Sequence, residues 1–432
     1  MTEARQPSFW EALRFWLKLG FISFGGPAGQ IAIMHEELVE RRKWISESRF
    51  LHALTYCNLL PGPEAQQLAT YCGWLLHRTW GGIAAGALFV LPSVFILWAL
   101  SYVYVVHGTL PFIAGIFYGL TAAVLAVVAS AVIRIGRKTL KNALLWALAA
   151  AAFVSIYFLR VDFPWVILGA GLVGLLGSRY APELFRSGGG HGAAAADEDG
   201  IVAHTRPSWT RALRVTALCG VLWWTPVILL GLWLGWGSTQ VAEGVFFSKA
   251  AMVTFGGAYA VLPYIAQKAV EHYGWLGTSQ MTAGLGLAET TPGPLIMVVQ
   301  FVGFLGGYYH PPAGLSPLLS ATLGALITTW VTFLPCFLWI FLGAPYVESM
   351  RGNPRLSAAL TAITAAVVGV VMNLAVWFGH KLVFPEAGGV DWFVLVVGAA
   401  AFVAIVRFKA GMIPVILASG ALGLAWKTLY ST

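Results

Sequence analysis

The chain has 432 residues, of which 58% are hydrophobic and only 10% charged, with a mean hydropathy of +0.76. Soluble domains carry about 25% charged residues, so this composition excludes a soluble globular protein and specifies an integral membrane protein. The net charge of +8 comes from short basic clusters between hydrophobic runs, which reads as cytoplasmic anchoring rather than nucleic-acid binding.

Residues 1–20 mix Arg5, Glu11, Arg14 and Lys18 into an apolar pattern with no small-residue cleavage site after it, so no cleavable signal peptide is expected. The spacing predicts two hairpins, 8–40 and 47–78, that enter and leave on the cytoplasmic side around the basic stretch 41–49. Each hairpin holds a helix breaker. Phe24-Gly25-Gly26 interrupts the first, and Pro61-Gly62-Pro63 the second, followed by Glu64, Gln66 and Gln67. Full spans are expected near 81–105, 111–133, 142–159 and 163–178. Their connections alternate in charge. The loop 107–110 has no Lys or Arg, whereas 134–141 carries Arg134, Arg137, Lys138 and Lys141 and reads as a cytoplasmic loop.

A Gly/Ala-rich, charged stretch at 186–208 cannot bury enough apolar surface to fold by itself. An apolar segment near 215–236 then spans the bilayer once more. Beyond it the first unit returns. A shift of 231 residues places Lys18 on Lys249, Phe24-Gly25-Gly26 on Phe255-Gly256-Gly257, Trp44 on Trp275, and Pro61-Gly62-Pro63 on Pro292-Gly293-Pro294. Farther on, Leu91-Pro92 matches Leu334-Pro335, and Leu120-Thr121-Ala122 matches Leu360-Thr361-Ala362. The domain reading is an N-terminal repeat over 8–180, a flexible linker over 181–211, a connecting transmembrane helix over 212–237 and a C-terminal repeat over 241–430.

The single extra crossing reverses the second copy. Arg351, Arg355, Arg407 and Lys409 then fall inside, and only Lys268 and Lys381 outside. The fold class is therefore an all-α polytopic membrane protein of two inverted-topology repeats with broken, re-entrant helices. That is a construction plan of secondary transporters, which hold substrate near the midplane.

At each break, free backbone N–H groups and the helix dipole attract an anion, and Gly25, Gly26, Gly62, Gly256, Gly257 and Gly293 admit close approach. Gln66, Gln67, Thr290 and Thr291 are the adjoining polar candidates, with Gln300 farther along. Lys18 and Lys249 would supply paired positive charge to a dianion, against the alternative of snorkelling to the interface. Glu64 and Glu289 are candidate proton carriers, because ionisable groups at membrane depth are functional suspects. They are not mates: Glu64 falls on Leu295 and Glu289 on Asn58. His35, in the run HEELVERR at 35–42, reads as an interfacial histidine on a solvated face.

The sequence resembles the two-domain, long-chain chromate ion transporter family. The likeness lies in LKLGFISFGGPAGQIA (17–32), LLPGPEAQQLATYCGW (59–74), TFGGAYAVLP (254–263) and GLAETTPGPLIMVVQFVGF (286–304). In the second copy Ala258 stands where the first has Pro27. The resemblance implies chromate efflux across the bacterial inner membrane, driven by the proton motive force and conferring chromate resistance, with sulfate as analogue or competitor. A sulfate or other oxyanion importer of the same build shares these features. A membrane enzyme would need a catalytic constellation, and neither HExxH nor G-x-S-x-G is present. No cofactor, metal or nucleic acid is called for. Cys57, Cys72, Cys219 and Cys336 read as reduced packing residues. The sequence is silent on oligomeric state, with a homodimer as the arrangement to test.

Overall fold

A computed structural model describes residues 6–24, 26–185, 208–344, 354–385 and 388–430. Gly25 and nearly all of the Gly/Ala-rich linker lie outside the described residues. Among those described, every regular element is helical. The first copy runs α1 (Phe9–Ile22), α2 (Gly26–His35), a π-helical turn (Glu36–Arg41), α3 (Glu47–Cys57), α4 (Glu64–His107), α5 (Pro111–Thr139), α6 (Ala143–Tyr157) and α7 (Phe163–Tyr180). An unmatched α8 (Trp209–Leu234) follows. The second copy repeats the order. It comprises α9 (Thr239–Met252), α10 (Ala258–Gln267), a π-helical turn (Lys268–His272), α11 (Thr278–Thr290), α12 (Val298–Tyr309), α13 (Pro317–Gly343), α14 (Pro354–Val383), α15 (Trp392–Arg407) and α16 (Met412–Tyr430). Even the π-helical turn recurs in register, so the repeat extends below the level of whole helices.

Length separates two kinds of helix. Among the described residues, seven helices are long and apolar enough to cross a bilayer. By contrast α1, α2 and α3 have 14, 10 and 11 residues, and at about 1.5 Å per residue none reaches across a core of about 30 Å. They are half-helices that meet at the breaks. Their starts are fixed locally: the Ser8 hydroxyl accepts the Glu11 N–H at 3.2 Å at the head of α1, and Pro63, which has no N–H, precedes α4.

Helix α4 is itself two limbs. His77 and Arg78 leave helical geometry (φ −137° and +54°), and the limbs then cross through Gly73 and Gly81. A Cβ on Gly73 would stand 2.4 Å from the Gly81 carbonyl oxygen, and one on Gly81 would stand 2.2 Å from that of Gly73. The second copy crosses α12 over α13 the same way, through Gly303 and Gly324. Small residues at a helix crossing let backbones approach where lipid supplies no hydrophobic drive.

The copies are interlocked rather than side by side. Helix α5 packs against α15 and α16, and α14 packs reciprocally against α6 and α7. Outward faces of α7 and α8 carry Trp165, Leu172, Leu176, Leu218, Leu229 and Trp233, all exposed, as lipid-facing helices require. The four cysteines are free and buried.

Two boundaries differ from the sequence reading. Arg134, Arg137 and Lys138 are not in a loop, because α5 continues to Thr139. No Pro stops it before Leu140, the helix runs on through Gly136, and Arg137 and Lys138 in its last turn suit the negative helix terminus. Helix α6 has only 15 residues, about 22 Å, shorter than the span expected over 142–159.

Candidate functional site

The four breaks meet in two crossed pairs. The Gly62 N–H donates to the Thr254 carbonyl at 2.7 Å, and the Gly293 N–H donates to the Ser23 carbonyl at 2.8 Å. Gly62 and Gly293 are repeat mates, and so are Ser23 and Thr254. Each Pro-Gly-Pro break therefore docks on the Phe-Gly-Gly break of the other copy. Both glycines have left-handed backbone (φ +125° and +100°), where an L side chain is strained. Space is also lacking: a Cβ on Gly293 would lie 1.8 Å from Ser93 Oγ, and one on Gly62 would lie 2.8 Å from Cys336 Sγ. These two N–H groups, expected to face an anion, instead hold the copies together.

Buried side chains complete the junction. Gln30 Nε2 donates to the Gly293 carbonyl at 2.6 Å and to that of Ser23 at 3.2 Å. Ser93 Oγ donates to the Pro292 carbonyl, and Gln300 Nε2 donates to that of Val94 at 2.7 Å. Gln66 Nε2 reaches Thr70 Oγ1 at 3.1 Å, and Gln67 Nε2 reaches the Pro61 carbonyl at 2.8 Å. The side-chain oxygens of Gln30, Gln66, Gln67 and Gln300 are buried without a hydrogen-bond partner. Thr290 and Thr291 donate back into their own helix, to Gly286 at 3.0 Å and Ala288 at 3.3 Å. Sequence reasoning missed Gln30 and Ser93, which have no polar mate to mark them.

The charged candidates divide. Lys18 and Lys249 are both exposed near the ends of their half-helices. The charge of Lys18 reaches Glu37 in the π-helical turn. Burial would push the Glu37 carboxyl up, but its hydrogen bond to Arg42, with Lys18 and Arg41, outweighs that and holds it below its ordinary value.

Glu64 and Glu289 lie deeper, at the start of α4 and the end of α11. Glu64 Oε1 would be 3.7 Å from a Cβ on Gly257, in the second copy's Phe-Gly-Gly break. Glu289 is buried and accepts the Tyr259 hydroxyl proton. The Arg134 guanidinium stacks over the Tyr259 ring at 5.5 Å, and its charge acts on Tyr259 and Glu289 together. Lys138, one turn on, acts on Glu64. The structure thus gathers Glu64, Glu289, Tyr259, Arg134 and Lys138 around the break at Gly257. It also keeps Lys18 out of this group, beside Glu37.

One acid was overlooked. Glu243 in α9 is fully buried, and both carboxyl oxygens lack a hydrogen-bond partner. Its signal was plain: an acid inside an apolar helix. A cavity of about 490 Å³ between α2 and α3 is lined partly by His35, Glu36 and Glu40. His35 pairs there with Glu47 at 2.6 Å and Glu40 at 3.2 Å, so its acidic rim does not suit an anion. No cluster able to hold a metal occurs among the described residues.

Residues 10–175 and 243–424 match the model of a family described as chromate transporter. A chromate transport protein of Cupriavidus metallidurans is 30% identical over 413 residues, 95% of this chain and 91% of that protein. One from Pseudomonas aeruginosa is 33% identical over 86% of this chain and 81% of its own length. A probable chromate transport protein of Synechococcus elongatus is 28% identical over 85% and 84%, respectively. No solved structure matches.

Proposed function

Because this chain belongs to the chromate transporter family, we propose that it is a secondary transporter carrying chromate out of the cytoplasm across the bacterial inner membrane. The observation that carries the reading is the crossed junction of four broken helices, two from each copy. Irregular backbone at membrane depth is tolerated where protein buries it or it lines a cavity. Here protein buries part of it, and charged side chains surround the rest at Gly257.

The copies are inverted, with α8 as the crossing that reverses the second. Contacts between distant segments support this side assignment. Asp162 pairs with Lys268 at 2.8 Å, and Thr239 donates to the His310 carbonyl at 3.0 Å, joining segments read as outside. His77 approaches the Pro7 carbonyl at 3.0 Å, and Arg211 stacks over Trp74 at 5.4 Å, joining segments read as inside. Substrate binds between the breaks. Gly26, Gly62, Gly256, Gly257 and Gly293 shape the site, Gln66, Gln67, Thr290 and Thr291 adjust to the anion, and Glu64 and Glu289 handle protons. Rotating a buried glutamine amide turns an unpartnered oxygen into two donors. Lys18 and Lys249, both exposed, act on the dianion at longer range.

Energetics favour efflux. Moving a dianion out of a cell at about −150 mV releases on the order of 7 kcal/mol. Counterflow of labelled chromate in everted vesicles, with sulfate as competitor, tests the reading. Chromate accumulation driven by an imposed potential, weakly inhibited by sulfate, is expected. Sulfate movement without chromate movement would replace it with a sulfate carrier of the same build.

A further inference from the structure

Tyr259 follows the second copy's Phe-Gly-Gly break almost directly, and Glu289 stands three residues before Pro292. The bond from the Tyr259 hydroxyl to Glu289 therefore ties that copy's two breaks to each other. Arg134 brings a charge from the first copy onto this tie, its guanidinium over the ring at 5.5 Å. Arg134 and Lys138 are exposed, whereas Glu289 is buried. The cations thus face an open approach, and the carboxylate sits behind them.

We infer that Arg134 is the principal cationic contact of the transported oxyanion, and that Glu289 holds the anion's place while the site is empty. This rests on the oxyanion-transport reading above. A guanidinium presents a planar fork of donors that matches two oxygens of a tetrahedral oxyanion, as it matches a carboxylate. A dianion carries the same charge as Glu64 and Glu289 together. Arg134 and Lys138 therefore stay neutralised in both states, which a partly dry site requires, provided that Glu64 and Glu289 each move away or take up a proton as the dianion arrives. Displacing Glu289 also frees the Tyr259 hydroxyl, and the tie between the two breaks loosens as the anion arrives. Occupancy and the shape of the junction change together.

Equilibrium binding of chromate and of sulfate to the purified full-length protein tests this, with melting temperature recorded for each variant. Arg134→Gln is expected to weaken binding of both anions at least tenfold, and Arg134→Lys to recover part of it. Glu289→Gln is expected to bind several-fold more tightly than wild type, because the internal competitor has lost its charge. A merely structural clamp moves the other way: Glu289→Gln would melt lower and bind no more tightly. Wild-type affinity in Arg134→Gln, or unimproved affinity in a folded Glu289→Gln, overturns the inference. If wild type binds neither anion, the oxyanion reading itself fails.

Discussion

Compare the approach to Gly257 with the equivalent place in the other half. Around Gly257 stand Arg134, Lys138, Glu64, Tyr259 and Glu289. The repeat puts Leu374, Phe378, Leu295, Ala28 and Asn58 at the matching positions. Arg134 and Lys138 are exposed, while Leu374 and Phe378 are 1% and 0% exposed. The backbone junction is the same on both sides, down to its two reciprocal hydrogen bonds. At the two cation positions the lining is charged and exposed on one side, apolar and buried on the other. Tyr259 and Glu289, by contrast, are buried, and their mates Ala28 and Asn58 are exposed. Duplication supplied a symmetric frame, and divergence of side chains made its two approaches unequal.

The frame is where substitution should do most harm. Gly293→Val puts a side chain 1.8 Å from Ser93 Oγ on a backbone with φ +100°. Overpacking and left-handed strain together cost about 3 kcal/mol or more. The expected result is no transport and little folded protein in a detergent melting assay. Gly62→Val meets a softer neighbour at 2.8 Å, so it should fold better while still failing to transport. Normal efflux by both variants would reduce the junction to two kinks.

Much of the frame was legible beforehand. Breakers at constant offset announce a repeat because few residues other than Gly and Pro produce those backbone shapes. Basic clusters gave the expected sidedness because lipid rejects charge. The crossed pairing was not legible: backbone N–H and carbonyl groups are identical at every residue, so no letter marks Gly62 as the partner of Thr254. Arg134 was hidden for a different reason. A charge near the end of a span reads as a loop signal, and only the continuation of α5 to Thr139, with the guanidinium over the Tyr259 ring, sets it beside the second copy. The paired positions of Lys18 and Lys249 suggested a shared site; both side chains are exposed, and Lys18 stands beside Glu37.

The second test concerns the lining. Leu374→Arg copies the first half's charge to the matching position of the other half, burying a guanidinium at a position only 1% exposed. About 3 kcal/mol of destabilisation is expected, visible as lost expression and a lower melting temperature. Adding Phe378→Glu should not rescue it, since a buried ion pair seldom recovers its desolvation cost. A stable, active Leu374→Arg protein would mean that both approaches are equally wet.

The two π-helical turns give a smaller contrast. Glu37 and Lys268 are mates of opposite charge. Glu37 is held by Arg42 at 3.0 Å and Arg41 at 3.2 Å, and Lys268 by Asp162 at 2.8 Å. The folded-state carboxyl of Glu37 titrates below its ordinary value of 4.5, so its stabilisation is present above that pH and is lost as pH falls through the lowered value. Glu37→Gln should cost about 1 kcal/mol at pH 7, since its arginine partners are partly exposed. The gap from wild type should close below pH 4.5. A gap that persists in acid would place the loss in packing rather than charge.

The smallest expected effect concerns Glu243, whose mate is Ala12. Both stand on the first half-helix of their copy, and both are buried. In the first copy the position is apolar. In the second, a carboxyl enters the crossing of α12 and α13, where a Cβ on Gly306 would lie 2.3 Å from Oε1 and one on Gly324 would lie 2.7 Å from Oε2. Neither oxygen has a hydrogen-bond partner, so the group contributes desolvation cost without compensation. Replacing an unsatisfied buried polar group by an apolar one of similar shape is neutral or stabilising. Methionine is unbranched and of similar length, so Glu243→Met should fit between the two glycines and stabilise by about 0.5–1 kcal/mol. A rise of a degree or two in melting temperature is the readout. Transport measured on the same preparation separates two reasons for keeping the acid. Lost efflux in a more stable protein would show that the carboxyl serves the cycle, while retained efflux would make it a bystander. A lower melting temperature would contradict the geometry, because it would require a partner that Glu243 does not have here.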